Sequence, residues 1–122
     1  LLEPSELAGV CAESGASPIS ETNPDMLAFA DAYRAAFDRE PDAFALGQYD
    51  GVRMLLAAIR SGAKSSADVR EYLSTQRYQG LAMTYASDGK GNMAHSAVIL
   101  CYSGDSRVPV IVKRYENLTG IL

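Results

Sequence analysis

The sequence predicts an α/β chain in which three helices precede a short set of strands. Two observations carry the helical half. Residues 44–59, FALGQYDGVRMLLAAI, place Tyr49, Val52, Leu55, Leu56 and Ile59 at helical spacing on one apolar face. Shorter stripes of the same period flank it on both sides, at residues 24–37 and 65–76. The third observation carries the strands. From Ala97 the chain turns continuously apolar, and Val108, Val110 and Val112 then alternate as residues on one side of a strand do.

Composition narrows the function classes. At 122 residues the chain suits one modest domain, and 48% hydrophobic with 21% charged residues is ordinary for a soluble protein. A formal net charge of −4 makes nucleic acid and anionic membranes poor partners. No apolar run approaches the length of a membrane span, and no basic stretch followed by an apolar one marks a signal peptide. The first residue is Leu1, so we expect a processed product or a fragment, for which a missing leader says nothing about export.

Taken in order, residues 6–12 read as the end of a strand, with Ala8, Val10 and Ala12 alternating. Residues 13–24 are rich in Ser, Gly and Pro and read as a crossing, loop or linker. Asn23 and Pro24 start the first helix. Asn accepts a hydrogen bond from a free backbone N–H, and proline has the φ the first helical position wants. Met26, Phe29, Ala30, Tyr33 and Phe37 form its stripe, and Glu40-Pro41 stops it. The long helix follows and ends near Ser61-Gly62. Ser65 and Asp68 resemble a capping box for a third helix, which carries Val69, Tyr72 and Leu73 and ends near Gln76. Gly80 breaks the chain before a strand at 81–85. Residues 88–92, DGKGN, form a turn, and a strand runs over 93–102. A second turn at 103–106 leads to a strand at 107–115, placed at an edge by Pro109. The tail, 116–122, is uninformative.

Little here points to chemistry. His95 is the only histidine and has no acidic neighbour in sequence. There is no G-x-S-x-G elbow, no H-E-x-x-H and no Walker loop. Asp88 and Asn92 lack the further ligands a calcium loop needs. Cys11 and Cys101 have no zinc spacing, which leaves buried thiols or a disulfide open. The expectation is a binder rather than an enzyme, without metal or cofactor. The start of the long helix is unlike its body: Gly47, Gln48, Tyr49, Asp50 and Gly51 suit a surface shown to a ligand. From the residues alone, a core Tyr49 and an Asp50 that eases the helix dipole are the plainer reading.

The order of elements from Asn23 to Val112 resembles the C-terminal part of type I periplasmic solute-binding proteins. The nearest branch serves branched-chain amino acid and amide ABC transporters. The stretches that carry the resemblance are NPDMLAFADAYRAAFDREPDAFA, QYDGVRMLLAAIRSG and DVREYLSTQRYQGLAMTYASDGKGNM. Gly80, Tyr85, Asp88, Gly89 and Asn92 fill the last pattern loosely, while Ala82 and Met83 stand about where members often show a second glycine.

The resemblance implies a fragment of a two-lobed fold, three helices plus C-terminal strands, from a chain several-fold longer. Residues 1–10 would end a strand of the second lobe. Residues 11–94 would be the helical part of the first lobe, with the hinge at 11–18, and 95–122 the return strands. It implies an extracytoplasmic solute-binding component of an ABC importer, periplasmic or lipid-anchored outside a Gram-positive cell. The ligand would be an amino acid, amide or aromatic acid held without chemistry, and the partner a transporter permease. The alternative is a ligand-sensing domain of the same fold in a receptor or regulator; a small enzyme is the third possibility. By position, Phe44 would lend apolar cover to a ligand, Gln48 and Tyr49 hydrogen bonds, and Glu13 a contact to an ammonium group. Cys11 and Cys101 would fall on neighbouring crossings, where a disulfide becomes possible. Three apolar helix faces with little sheet of their own imply that the fragment dimerises or pairs with its missing half.

Overall fold

The computed structural model describes residues 2–118. Local capping chemistry sets the helix starts. The Asn23 side chain accepts the Met26 N–H at 2.9 Å and opens α1, Pro24–Phe37. Asp42 accepts the Ala45 N–H at 2.8 Å and opens α2, Ala43–Arg60. Ser65 and Asp68 cap each other's backbone N–H at the head of α3, Ser66–Thr75. The end of α1 lies before the expected Glu40-Pro41 stop. Asp38 takes the left-handed conformation at φ 52° and donates its N–H to the Arg34 carbonyl, so the helix is closed two residues earlier.

The strands form one antiparallel set around β4. Strand β1 is Cys11–Ser14, β2 Tyr78–Gln79, β3 Thr84–Ser87, β4 Met93–Cys101 and β5 Val110–Leu118. The β2–β3 hairpin pairs Tyr78 with Tyr85, and β3 meets the start of β4 at Ala86 and Ala94. Strand β1 pairs the end of β4, from Cys11 opposite Cys101 to Ser14 opposite Val98, while β5 runs along β4 from Cys101–Val110 to His95–Leu118. The Cys11 and Cys101 sulfurs are bonded, 2.08 Å apart.

Three strand boundaries differ from expectation, each for a hydrogen-bonding reason. Of residues 6–12 only Cys11 and Ala12 are strand: Pro4–Leu7 is a 3-10 turn, boxed by Glu3 and Glu6, and β1 begins only at Cys11. The strand expected at 81–85 begins at Thr84, because the N–H groups of Leu81 and Ala82 are given to a side chain instead of a neighbouring strand. The last strand begins at Val110 and runs on to Leu118. Pro109 has no N–H to offer, and its carbonyl accepts the Ser20 hydroxyl at 2.7 Å. The rest of the tail, 119–122, lies outside the described residues.

The interior is small. Ala16, Met26 and Leu46 form a buried cluster, with Phe29, Leu81 and Ala82 packed against it. Ala94, Ala97, Val98 and Leu100 are buried along β4, consistent with its apolar second half. The stripe expected to organise the chain is not in this interior. Val52 is 55% exposed and Ile59 58%, with Tyr49, Leu55 and Leu56 also exposed. The covered side of α2 carries Leu46, Asp50 and Ala58 instead.

Candidate functional site

Asp42 caps α2 so that Phe44 falls in its first turn, and the ring is 83% exposed. It borders a largely apolar groove of about 320 Å³ whose other walls include Ser14, Ser17, Pro18, Leu100 and Tyr102. The segment opposite Phe44 is shaped by its own hydroxyls. Ser14 donates to the Ala16 carbonyl at 2.8 Å, and the Ser17 and Ser20 hydroxyls share a hydrogen bond of 2.8 Å. An apolar concavity with an aromatic lip and a few fixed polar groups suits a small molecule with an apolar body.

The other sequence candidates lie elsewhere. Tyr49 packs its ring 5.0 Å from Phe29 on α1, which continues a row of aromatics through Tyr33 to Phe37. Gln48 borders that shallow interhelical groove beside Tyr49, and Arg53 lies 5.8 Å over the Tyr49 ring. Glu13 is exposed on β1 opposite Ile99, next to Ser14 but not on the groove. The structure therefore brings Phe44 to the 14–19 segment and leaves Gln48 and Tyr49 on a different face.

Sequence reasoning missed Asp50. It is 1% exposed and lies two turns into α2, too far from the helix start to ease the dipole there. Its carboxylate accepts the Leu81 N–H at 2.8 Å, the Ala82 N–H at 2.9 Å and the Tyr85 hydroxyl at 3.0 Å. Burial, and then the charge of Asp50, push the Tyr85 phenol well above its ordinary range. Gly80 makes room for this: a Cβ there would lie against Asp50 Oδ2 and 2.6 Å from the Tyr85 ring. The available signal was the row Leu46, Asp50, Met54, Ala58, every fourth residue, with one acid among apolar neighbours.

Nearby, Arg114 on β5 holds Glu21 in a two-pronged ion pair at 2.7 and 2.8 Å. His95 is exposed, and its ring Nδ1 lies 3.2 Å from the Ser96 carbonyl. Among the described residues, no group of three His, Cys, Asp or Glu side chains is placed to hold a metal, and no helix is long and apolar enough to cross a membrane.

The comparisons decide the family. A family model described as periplasmic binding protein matches residues 2–104. The chain belongs to the periplasmic binding protein family. No curated relative matches by sequence. Among solved structures, it superposes on a branched-chain amino acid ABC transporter periplasmic ligand-binding protein from Burkholderia xenovorans with a TM-score of 0.82 at 16% identity, over 93% of this chain and 32% of the other. The branched-chain amino acid transporter substrate-binding protein LivJ from Streptococcus pneumoniae, in complex with isoleucine, gives 0.71 at 28% identity, over 90% and 32%. A solute-binding protein of an ABC transporter from Rhodopseudomonas palustris, in complex with 3,4-dihydroxybenzoic acid, gives 0.79 at 14% identity, over 93% and 32%. This periplasmic binding protein chain thus spans 32% of the length of each of these structures. Its three helices and five strands are part of the type I fold.

Proposed function

We propose that this chain forms part of one wall of the solute cleft in an extracytoplasmic binding protein that serves an ABC importer. The observation that carries the reading is Phe44: a large apolar ring at the head of a capped helix, almost wholly exposed, beside a groove, in a member of this family. Burying such a ring against a ligand is worth about 1.5–3 kcal/mol. The ligand class is a small amino-acid-like molecule or aromatic acid, supported by the isoleucine and dihydroxybenzoate held by two similar proteins. Binding makes and breaks no covalent bond. A ligand touching two lobes favours the closed arrangement by its differential affinity for it.

On this reading residues 11–18 and the strands after 95 cross between lobes, and a permease is the downstream partner. The protein works in the periplasm, or lipid-anchored outside a Gram-positive cell. The Cys11–Cys101 bond suits such an oxidising compartment. Glu13, exposed on β1 but not on the groove, would meet a ligand ammonium from the crossing, while Gln48 and Tyr49 face the α1 side. The uncovered stripe of α2 implies pairing, with the rest of the fold or with a second copy.

The test is a thermal-shift and calorimetric screen of the intact protein with isoleucine and benzoate. Phe44→Ala should weaken the binding ligand about tenfold or more while leaving the ligand-free melting point nearly unchanged, because the ring buries little in the unliganded chain. Equal affinity of parent and variant would remove Phe44 from the cleft.

A further inference from the structure

The groove has a floor, and that floor is held by a residue that never reaches it. Ala16, from the segment facing Phe44, is part of the buried cluster with Met26 and Leu46. Leu46 lies two residues beyond Phe44 on α2. Leu81 and Ala82 close the cluster from the other side. Nothing in the local sequence makes 80–83 hold that position. The loop lacks ladder pairing at Leu81 and Ala82, and its own turn is closed by one backbone bond, Gly80 N–H to the Met83 carbonyl at 2.9 Å.

What fixes it is the Asp50 carboxylate, anchored on α2 one turn beyond Leu46. One oxygen takes the Leu81 N–H, and the other takes the Ala82 N–H and the Tyr85 hydroxyl. Two adjacent N–H groups gripped by one carboxylate fix the loop's orientation, since a single bond would let it pivot. The fit at Gly80 leaves no space for the loop to shift toward α2 without displacing Asp50 or Tyr85. The same loop supplies Ala82 and Met83 to the wall of a second cavity, of about 190 Å³, on the far side of Ala16, where Glu21 and Arg114 are paired.

We infer that Asp50 is a positioning residue for the groove: by clamping residues 80–82 against Ala16 and Leu46, it sets the 14–19 segment at its distance from Phe44. The inference rests on the reading of that groove as the solute wall, but its first test does not. Hydrogen exchange of the intact, ligand-free protein is followed by mass spectrometry, in the parent, Asp50→Asn and Tyr85→Phe. Asparagine keeps the shape and one acceptor but turns an amide donor toward donors.

In Asp50→Asn, exchange should rise about tenfold or more in peptides covering 80–83 and, with them, in those covering 14–20. Peptides from α3 and the middle of β4 should stay within twofold of the parent. Tyr85→Phe, which spares both backbone bonds, should show a smaller rise at 80–83. A uniform rise across the chain would reduce Asp50 to general stability and overturn the inference. A rise at 80–83 with 14–20 unmoved would overturn the coupling. The second measurement is calorimetry with isoleucine or benzoate, whichever the parent binds. Asp50→Asn should bind that compound more weakly, and an affinity equal to the parent's would overturn the role of Asp50 at the groove. If neither compound binds the parent, the solute reading fails while the exchange result stands by itself.

Discussion

The two sides of α2 carry the wrong residues for a self-sufficient domain. The side turned to the rest of the described chain has Leu46, Asp50, Met54 and Ala58, and its largest polar group is a fully buried acid. The other side has Val52, Leu55, Leu56 and Ile59, all exposed, with Tyr49 at its margin, 40% exposed and packed on Phe29 of α1. In an isolated helix-on-sheet unit these would be exchanged, since exposed aliphatics gain nothing and a buried carboxylate must find donors. The inner side of α2 is joined to this chain by specific hydrogen bonds, and its apolar side lies exposed. On the proposed reading, α2 is a middle layer whose apolar side meets a further layer. The family match fits that picture, because the similar structures have about three times this length.

The inner side should break first and hardest. Gly80→Ala drives a methyl group into Asp50 and the Tyr85 ring, both of them held by the same hydrogen bonds. We expect a loss of roughly 1–3 kcal/mol, measured by urea unfolding, of the size seen for overpacked cores. Gly51→Ala, on α2 next to Asp50 and with open space around its Cα, should instead be neutral or mildly stabilising. Equal effects at the two positions would mean that the inner contact is loose.

The outer side should break differently. Val52→Asp with Ile59→Asp alters residues that are already exposed, so the stability of the chain by itself should change by no more than about 0.5 kcal/mol per site. Association should change instead. The parent chain should appear as a dimer or larger assembly by light scattering and bind an apolar dye when diluted, and the double variant should be monomeric. A monomeric parent that binds no dye would show that the outer stripe needs no cover.

How much of this could be read beforehand follows from the range of each interaction. Helix starts were legible because caps act within three residues: Asn23 with Met26, and Ser65 with Asp68. The turn at 88–92 was legible for the same reason, since Asp88 binds Lys90 and Asn92. The apolar stripe of α2 was also read correctly as a stripe. Which partner it faced was not written in its period, because a helix with two usable rows does not say which one its own chain will cover. The start of β3 was misplaced because Asp50, more than thirty residues away, takes the two N–H groups a strand would have used. Phe44 was visible only through the family resemblance. The direction of Tyr49 was decided by Phe29 of α1, a contact between helices that no local pattern encodes.

The smallest effects separate two hydrogen-bonded acids by pH, a solvated capping carboxyl and a half-buried phenol. Asp68 caps α3 from a solvated position, and the Lys64 N–H, with the Ser65 hydroxyl and N–H, holds its pKa below the ordinary 3.8. A carboxyl depressed in the folded state adds stability above its unfolded pKa and loses it as pH falls through the folded value. The capping contribution should therefore be intact at neutral pH and fade below about 3.8, and Asp68→Asn should flatten that acid limb without touching the alkaline one. Tyr85 runs the other way. Its phenol is raised above the ordinary 10.0 by burial and by Asp50, so the folded chain favours the protonated form. Its contribution is complete below pH 10 and declines as pH rises beyond that, because the unfolded chain then releases a proton that the folded chain keeps. Tyr85→Phe should abolish that alkaline decline in urea midpoint. An alkaline slope unchanged by Tyr85→Phe would mean that the hydroxyl is solvated in solution and that the inner face of α2 is held by the two backbone bonds alone.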